Sequence, residues 1–333
     1  MLNVREITFR EAISEALINE LQRDKNVILM GEDLRVFFGG GPFGVTPKEK
    51  FLDQFGPERI RDTPISEAAF IGAAAAAAAT GLRPVVELMC VDFFGVAMDQ
   101  IYNQAAKMRY MFGGQVKVPL TIRTTIGAGV SFGPHHSQTL YSIFAHVPGL
   151  KIVVPSTPYD AKGLLITAIR DDDPVMFFEH KLLYDERGPV PKEEYMIPFG
   201  VADIKREGED VTIVATSFMV KKALAAADKL KEKRINVEIV DPRTLVPLDK
   251  KTIIESVKKT SRLIVVDEDY ERCGFASEVA AIVSEEAFYY LDAPIKRITT
   301  PNVPIPFAPI MEKHVLPSEE KIISAVLEIV KGA

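Results

Sequence analysis

The chain has 333 residues, enough for about two domains at ~150 residues each. At 47% hydrophobic and 26% charged it is composed to bury a core, and a net charge of −6 gives no basic footprint for nucleic acid or an anionic membrane. Its two cysteines, Cys90 and Cys273, share no CxxC or Cys/His spacing, which argues against a disulfide framework and a structural zinc site and for a reducing, cytoplasmic setting.

The opening MLNVREITFREAISEAL alternates charge with apolar residues and lacks a signal-peptide core. Residues 27–30 read as a strand, followed by a glycine-rich stretch at 39–44. Residues 66–80 predict a helix ended by Gly81, with Ser66 as N-cap; its apolar run, 68–79, is too short for the ~20 residues of a membrane span. Strands are expected at 84–89, 120–125, 151–154 and 175–179, and helices at 93–111, 137–147 and 159–171. Apolar strands alternating with helices of this length predict a parallel sheet covered on both faces.

The segment YDERGPVPKEEYMIP is rich in proline and charge and breaks the pattern, so it reads as a linker. The expected division is a first domain over 1–185, a linker over 186–199 and a second domain over 200–333. The second half repeats the alternation, with strands at 211–215, 237–240, 263–267 and 295–298. Helices alternate with them at 220–233, 250–259 and 276–288, and a last one begins at Ser318. The fold class is α/β, two domains, each a mostly parallel sheet flanked by helices.

Two motifs carry less than they suggest. Gly39 to Gly44 satisfies GxGxxG, with Asp62 near the spacing of a ribose-binding acid, but the preceding strand ends too early for a nicotinamide site. Gly129-Val130-Ser131-Phe132-Gly133 satisfies the GxSxG of serine hydrolases. Gly127 and Pro134 extend the loop on both sides of it, and His314, the remaining C-terminal histidine, sits in a proline-bounded stretch. Both segments read as loops.

Three other features converge on chemistry. Glu67 opens an alanine-rich helix with almost no polar face, which is expected to be buried all round, so desolvation would favour its acid form. Phe93 and Phe94 follow the strand PVVELM, at the end of an open sheet where ligands bind. His135 and His136 stand in a glycine-rich loop; adjacent histidines make a poor zinc pair, but one is a fitting general acid or base.

These residues lie within DTPISEAAFIGAAAAAAATGLRPVVELM, FGVAMDQIYNQAAKMRYMFGG, PHHSQ and HVPGLKIVVPSTPYDAKGLLITAIRDDDP. Together with VDPRTLVPLD and GFASEVAA, they make the chain resemble the β subunits of the decarboxylating component of 2-oxo-acid dehydrogenase complexes. These belong to the transketolase-like superfamily of thiamine-diphosphate enzymes. The resemblance spans about Thr8 to Val330 and its wording is nearest to acetoin dehydrogenase, with pyruvate dehydrogenase close behind.

The resemblance implies a transketolase-like pyrimidine-binding domain followed by a transketolase C-terminal-like assembly domain. It places on Glu67 the carboxyl that bonds the pyrimidine ring nitrogen and favours the imino tautomer, on Phe93 the stacking aromatic, and on His136 the histidine that handles the intermediate and acyl transfer to lipoamide. It also implies a potassium ion held at Leu120, Ala168, Ile169, Asp171 and Asp173. Where many relatives have a glycine four residues after Gly72, this chain has Ala76. No GDG motif for a diphosphate-bound metal occurs here, so an α subunit is expected to hold the Mg2+ and diphosphate in an α2β2 heterotetramer, itself docked on a lipoyl acyltransferase core. The implied substrates are acetoin, pyruvate or a branched 2-oxo acid. Half of a split transketolase or deoxysugar synthase is the nearest other reading, a non-catalytic assembly subunit a further one.

Overall fold

The computed structural model describes residues 4–34 and 49–331, so the glycine motif at 39–44 lies outside the described residues. By its internal contacts the chain forms two compact units, Met1–Ile126 with Ile143–Phe199, and Gly127–Ser142 with Gly200–Ala333. The loop carrying His135 and His136 therefore packs as part of the second unit.

In chain order the elements through the first unit are β1 (Val4–Thr8), α1 (Phe9–Arg23), β2 (Val27–Glu32), α2 (Glu49–Phe55), β3 (Ile60–Thr63), α3 (Glu67–Ala79) and β4 (Arg83–Cys90). Then come α4 (Ala106–Met111), β5 (Thr121–Ile126), α5 (Tyr141–Ala145), β6 (Lys151–Val153), α6 (Pro158–Arg170), β7 (Val175–His180) and β8 (Arg187–Pro191). Six of these strands lie parallel in the order β6-β7-β5-β4-β2-β3. Every residue of β2, β5 and β7 is buried, as in a sheet covered on both faces. β1 and β8 form a separate antiparallel ribbon, with Val4 opposite Pro191 and Thr8 opposite Arg187. The segment expected as a linker thus carries a strand of the first unit.

Helix α1 was not among the sequence-based expectations, although Thr8 and Glu11 signal it. The Thr8 hydroxyl accepts from the Glu11 amide (3.2 Å) and the Glu11 carboxylate accepts from the Thr8 amide (2.7 Å), a reciprocal cap. Helix α3 corrects another expectation. Phe70, Ile71, Ala74, Ala75 and Ala78 are buried, whereas Ala69, Ala73 and Ala76 form an exposed stripe, so the helix is not buried all round within this chain. Alanine, favourable in a helix and nearly indifferent to burial, permits both. A Cβ on Gly72 would stand 3.0 Å from Gln100 Cγ, so an alanine there would need that side chain to give by a few tenths of an ångström.

The helix expected over 93–111 is composite. A 3-10 turn over Val91–Ala97 leads into a π-helical turn over Gln100–Ala105 and then α4. Of the helix expected over 137–147, only Tyr141–Ala145 forms. The preceding residues are irregular rather than helical: the Gly127 amide donates to the Gln138 carbonyl (3.1 Å), and Ser137, Thr139 and Leu140 are buried.

The second unit continues with β9 (Asp203–Arg206), β10 (Val211–Ala215), α7 (Phe218–Lys231), β11 (Val237–Asp241), β12 (Thr244–Val246), α8 (Lys250–Thr260) and β13 (Leu263–Tyr270). It ends with α9 (Phe275–Glu286), β14 (Lys296–Thr300), α10 (Pro309–Val315) and α11 (Glu319–Lys331). Its sheet runs β14-β13-β10-β11-β9, parallel except for β9, which pairs antiparallel with β11. Ile213, Ile239, Ile264 and Val266 from the strands meet Ala223, Ala227 and Leu230 of α7 and Ile322 and Val326 of α11 in one core.

Candidate active site

Strands β4, β2 and β3 are parallel neighbours, so their carboxyl ends share one edge, where open α/β sheets bind ligands. Glu32 is the last residue of β2, Glu67 opens α3 just beyond β3, and Phe93 lies in the 3-10 turn following β4. Both carboxylates are buried, Glu32 at 6% and Glu67 at 8% exposure. Burial first, then the charges of Glu67 and Asp33, push the Glu32 carboxyl up to about 7. Among the described residues its Oε1 is buried without a hydrogen-bond partner. A carboxyl poised near neutral pH can take up or release a proton at this edge of the sheet.

The sequence places this strand over 27–30, whereas β2 runs on to Glu32, whose local signal is an acid closing an apolar run. Ser66 occupies the N-cap position of α3, but its side chain makes no capping bond, correcting that expectation. Phe93 is half-buried. The adjacent Phe94 instead joins the core, meeting Phe144 edge-on at 5.2 Å, and Phe144 meets Phe178 at 5.5 Å.

A second charged group, also unforeseen, lies inside the same sheet. Arg123 of β5 donates to both oxygens of Glu179 on β7 (2.6 and 2.8 Å) and to Glu87 on β4 (3.0 Å), and Tyr184 donates to Glu179 (2.7 Å). All are buried. Burial, against the pull of Arg123 and with the push of Glu179, raises the Glu87 carboxyl to about 7. A Cβ on Gly31 would come within 2.8 Å of Glu87 Cβ, so the glycine before Glu32 gives this triad its space.

In the second unit, His135 and His136 lie with their Nδ1 atoms within hydrogen-bonding distance, and the Phe132 ring meets His136 edge-on at 6.4 Å. Ser131 of the GxSxG sequence donates its hydroxyl to Glu312 (3.3 Å), a carboxylate rather than a histidine. Among the described residues no cluster of three or more His, Cys, Asp or Glu is set to hold a metal. The positions associated with potassium lie in a turn already bridged by cations. Arg83 donates to the carbonyls of Ile169 (3.1 Å) and Asp171 (3.0 Å) and to the Asp172 carboxylate. Lys151 pairs with Asp171 (2.7 Å) and Asp173 (3.1 Å), and Arg109 pairs with Asp173. The Leu120 carbonyl accepts from the Val175 amide and that of Ala168 from the Asp171 amide.

Residues 5–186 match the family model of the transketolase pyrimidine-binding domain, and residues 200–322 that of the transketolase C-terminal domain. The chain is 51% identical to the β subunit of acetoin:2,6-dichlorophenolindophenol oxidoreductase from Bacillus subtilis, covering 98% of this chain and 97% of that one. It is 48% identical to the pyruvate dehydrogenase E1 component β subunit of Rickettsia felis, covering 97% and 98%. Against the 2-oxoisovalerate dehydrogenase β subunit of B. subtilis the figure is 45%, over 97% and 98%. A solved split-gene transketolase, an inactive β4 tetramer, superposes with a TM-score of 0.77 over 98% of both chains at 23% identity, a likeness of fold. With both domains matched in order and relatives near half-identical from end to end, the chain belongs to the transketolase-like family of dehydrogenase E1 β subunits.

Proposed function

We propose that this chain is the β subunit of a thiamine-diphosphate-dependent acetoin or 2-oxo-acid dehydrogenase, active only with an α subunit. The observation that carries the reading is the buried pair Glu32 and Glu67 at the carboxyl edge of β2 and β3. Glu32 Oε1, buried and unpartnered among the described residues, leaves hydrogen-bonding capacity at this edge beside Glu67, so the residues present fit the nitrogen-rich aminopyrimidine half of the cofactor. When bound, thiamine diphosphate supplies the nucleophilic carbon and the electron sink for breaking the carbon–carbon bond beside a ketone.

The protein's part is proton handling and orientation. Glu67 holds the proton at the pyrimidine ring nitrogen. Glu32 keeps a second acidic proton within the electrostatic reach of Glu67, so that pair can supply or take back one charge without water. Phe93 offers an apolar face against which a flat ring orients. His136 is the acid or base at the acyl group as it leaves for lipoamide. A potassium ion would compete with the Arg83 guanidinium for the Ile169 and Asp171 carbonyls, and none of these steps calls on it.

The diphosphate and its Mg2+ are assigned to the α subunit, in an α2β2 heterotetramer that passes its acyl group to a lipoyl acyltransferase core; a cytoplasmic location goes with this reading. No helix among the described residues is long and apolar enough to cross a membrane. Acetoin is the lead substrate and pyruvate the next, following the order of the relatives' likeness. The test is reconstitution with the α and acyltransferase proteins encoded beside this chain. Magnesium-dependent tight cofactor binding should need the α chain, and turnover should be greatest on acetoin. Tight binding by this chain alone, or turnover only on sugar phosphates, would overturn the reading.

A further inference from the structure

The loop bearing His135 and His136 is fastened at both ends by two acidic elements of the second unit. On the entry side, Glu312 of α10, 3% exposed, accepts from the Gly129 amide (2.9 Å) and the Ser131 amide (3.2 Å) through Oε1, and from the Ser131 hydroxyl (3.3 Å) through Oε2. Glu268 accepts from the Ala128 amide at 2.7 Å. On the exit side, Tyr141 donates to Asp267, Ser142 to Asp269, and Tyr270 to the Gln138 side chain at 3.5 Å. Four successive residues at the end of β13 thus each hold a different point of one loop. The loop needs such holding: Ser131 has a φ of 58° and Gly129 of 102°, left-handed conformations that a free serine seldom adopts.

We infer that Glu312 is a positioning residue for His136, with the β13 end as its counterpart, so that the second domain sets the geometry of acyl transfer as well as serving assembly. This rests on the role given to His136 above. Glu312 touches neither cofactor nor substrate in this scheme; it orders two backbone amides whose loop delivers the imidazole. A carboxylate is the fitting group, because each oxygen accepts from a backbone N–H of the loop, Oε1 from Gly129 and Oε2 from Ser131 at 3.1 Å. A glutamine there would turn an N–H toward an N–H.

The experiment uses the reconstituted holoenzyme with Glu312→Gln, Glu312→Asp, His136→Ala and the Glu312→Gln/His136→Ala double variant. Glu312→Gln should lower acyl transfer to the lipoyl domain ~10- to 100-fold, and turnover with an artificial electron acceptor much less. Glu312→Asp, which keeps both acceptors, should recover most of the transfer rate. The double variant should be no worse than His136→Ala alone within ~2-fold, since the two act through one group. Backbone amide exchange over 128–136 should speed up ~10-fold or more in Glu312→Gln, with the heterotetramer intact. Multiplicative losses in the double variant, or exchange unchanged from wild type, would overturn the inference. If His136→Ala leaves transfer untouched, the role of His136 fails, and the exchange result alone decides whether Glu312 seats the loop.

Discussion

Glu67 raises the proton affinity of Glu32: a buried carboxyl that opens α3, just beyond β3, acts on one that closes the neighbouring strand β2. Burial is the larger cause of the shift, and the Glu67 charge adds to it ahead of that of Asp33.

Glu67→Gln keeps the shape and removes the exchangeable proton. Turnover of the reconstituted enzyme should fall ~100-fold or more while heterotetramer assembly is preserved. Steady-state kinetics beside size-exclusion chromatography measure this, and full activity would exclude the assigned role.

Glu32 carries a pH signature. Its folded carboxyl sits at about 7 against an ordinary value of 4.5, so between these pH values the folded chain binds the proton that the unfolded chain has released. Stability contributed by the protonated form is therefore complete below about 4.5 and lost as pH rises through about 7. Glu32→Gln should remove this slope and gain ~1–2 kcal/mol over wild type on going from pH 5 to pH 8. Chemical denaturation at the two pH values tests it; parallel curves for the two proteins would refute the assignment.

Arg123 faces two buried carboxylates and satisfies both. Arg123→Met should cost ~3–5 kcal/mol, because it strands Glu179 and Glu87 without a counter-charge. A urea midpoint shifted by less than the equivalent of ~1 kcal/mol would mean that the triad has little net worth.

For His136→Ala, lipoamide acylation should suffer more than cleavage measured with an artificial acceptor, the former by ~100-fold. Equal losses in the two assays would reject a role in acyl transfer.

Much of the fold was legible because the buried strands are apolar runs. VTIVA, read as a strand over 211–215, is β10 over the same residues. Helix α1 is equally legible in its Thr8–Glu11 cap, although the mixed charged and apolar residues around it show no clean period. The candidate site was legible only in part. Glu67 and the histidine loop stand out locally, whereas the partnership of Glu32 with Glu67 depends on β2 lying beside β3, a non-local fact. The same holds for Arg123, whose partners come from two other strands, and for Glu312, which acts on a loop far upstream. Long-range pairing of polar groups leaves no period in a sequence.

Ser131 and the carboxylate that grips it are separated by 181 positions. On the ribosome, the strands of the first sheet emerge well before α10 does, and for that interval the histidine-bearing segment has no anchor from Glu312. A translation product stopped short of Glu312 would retain every strand of that sheet and the Glu32–Glu67 pair, yet lack the means to seat its imidazole. On the role proposed for His136, acyl delivery therefore waits on synthesis reaching α10.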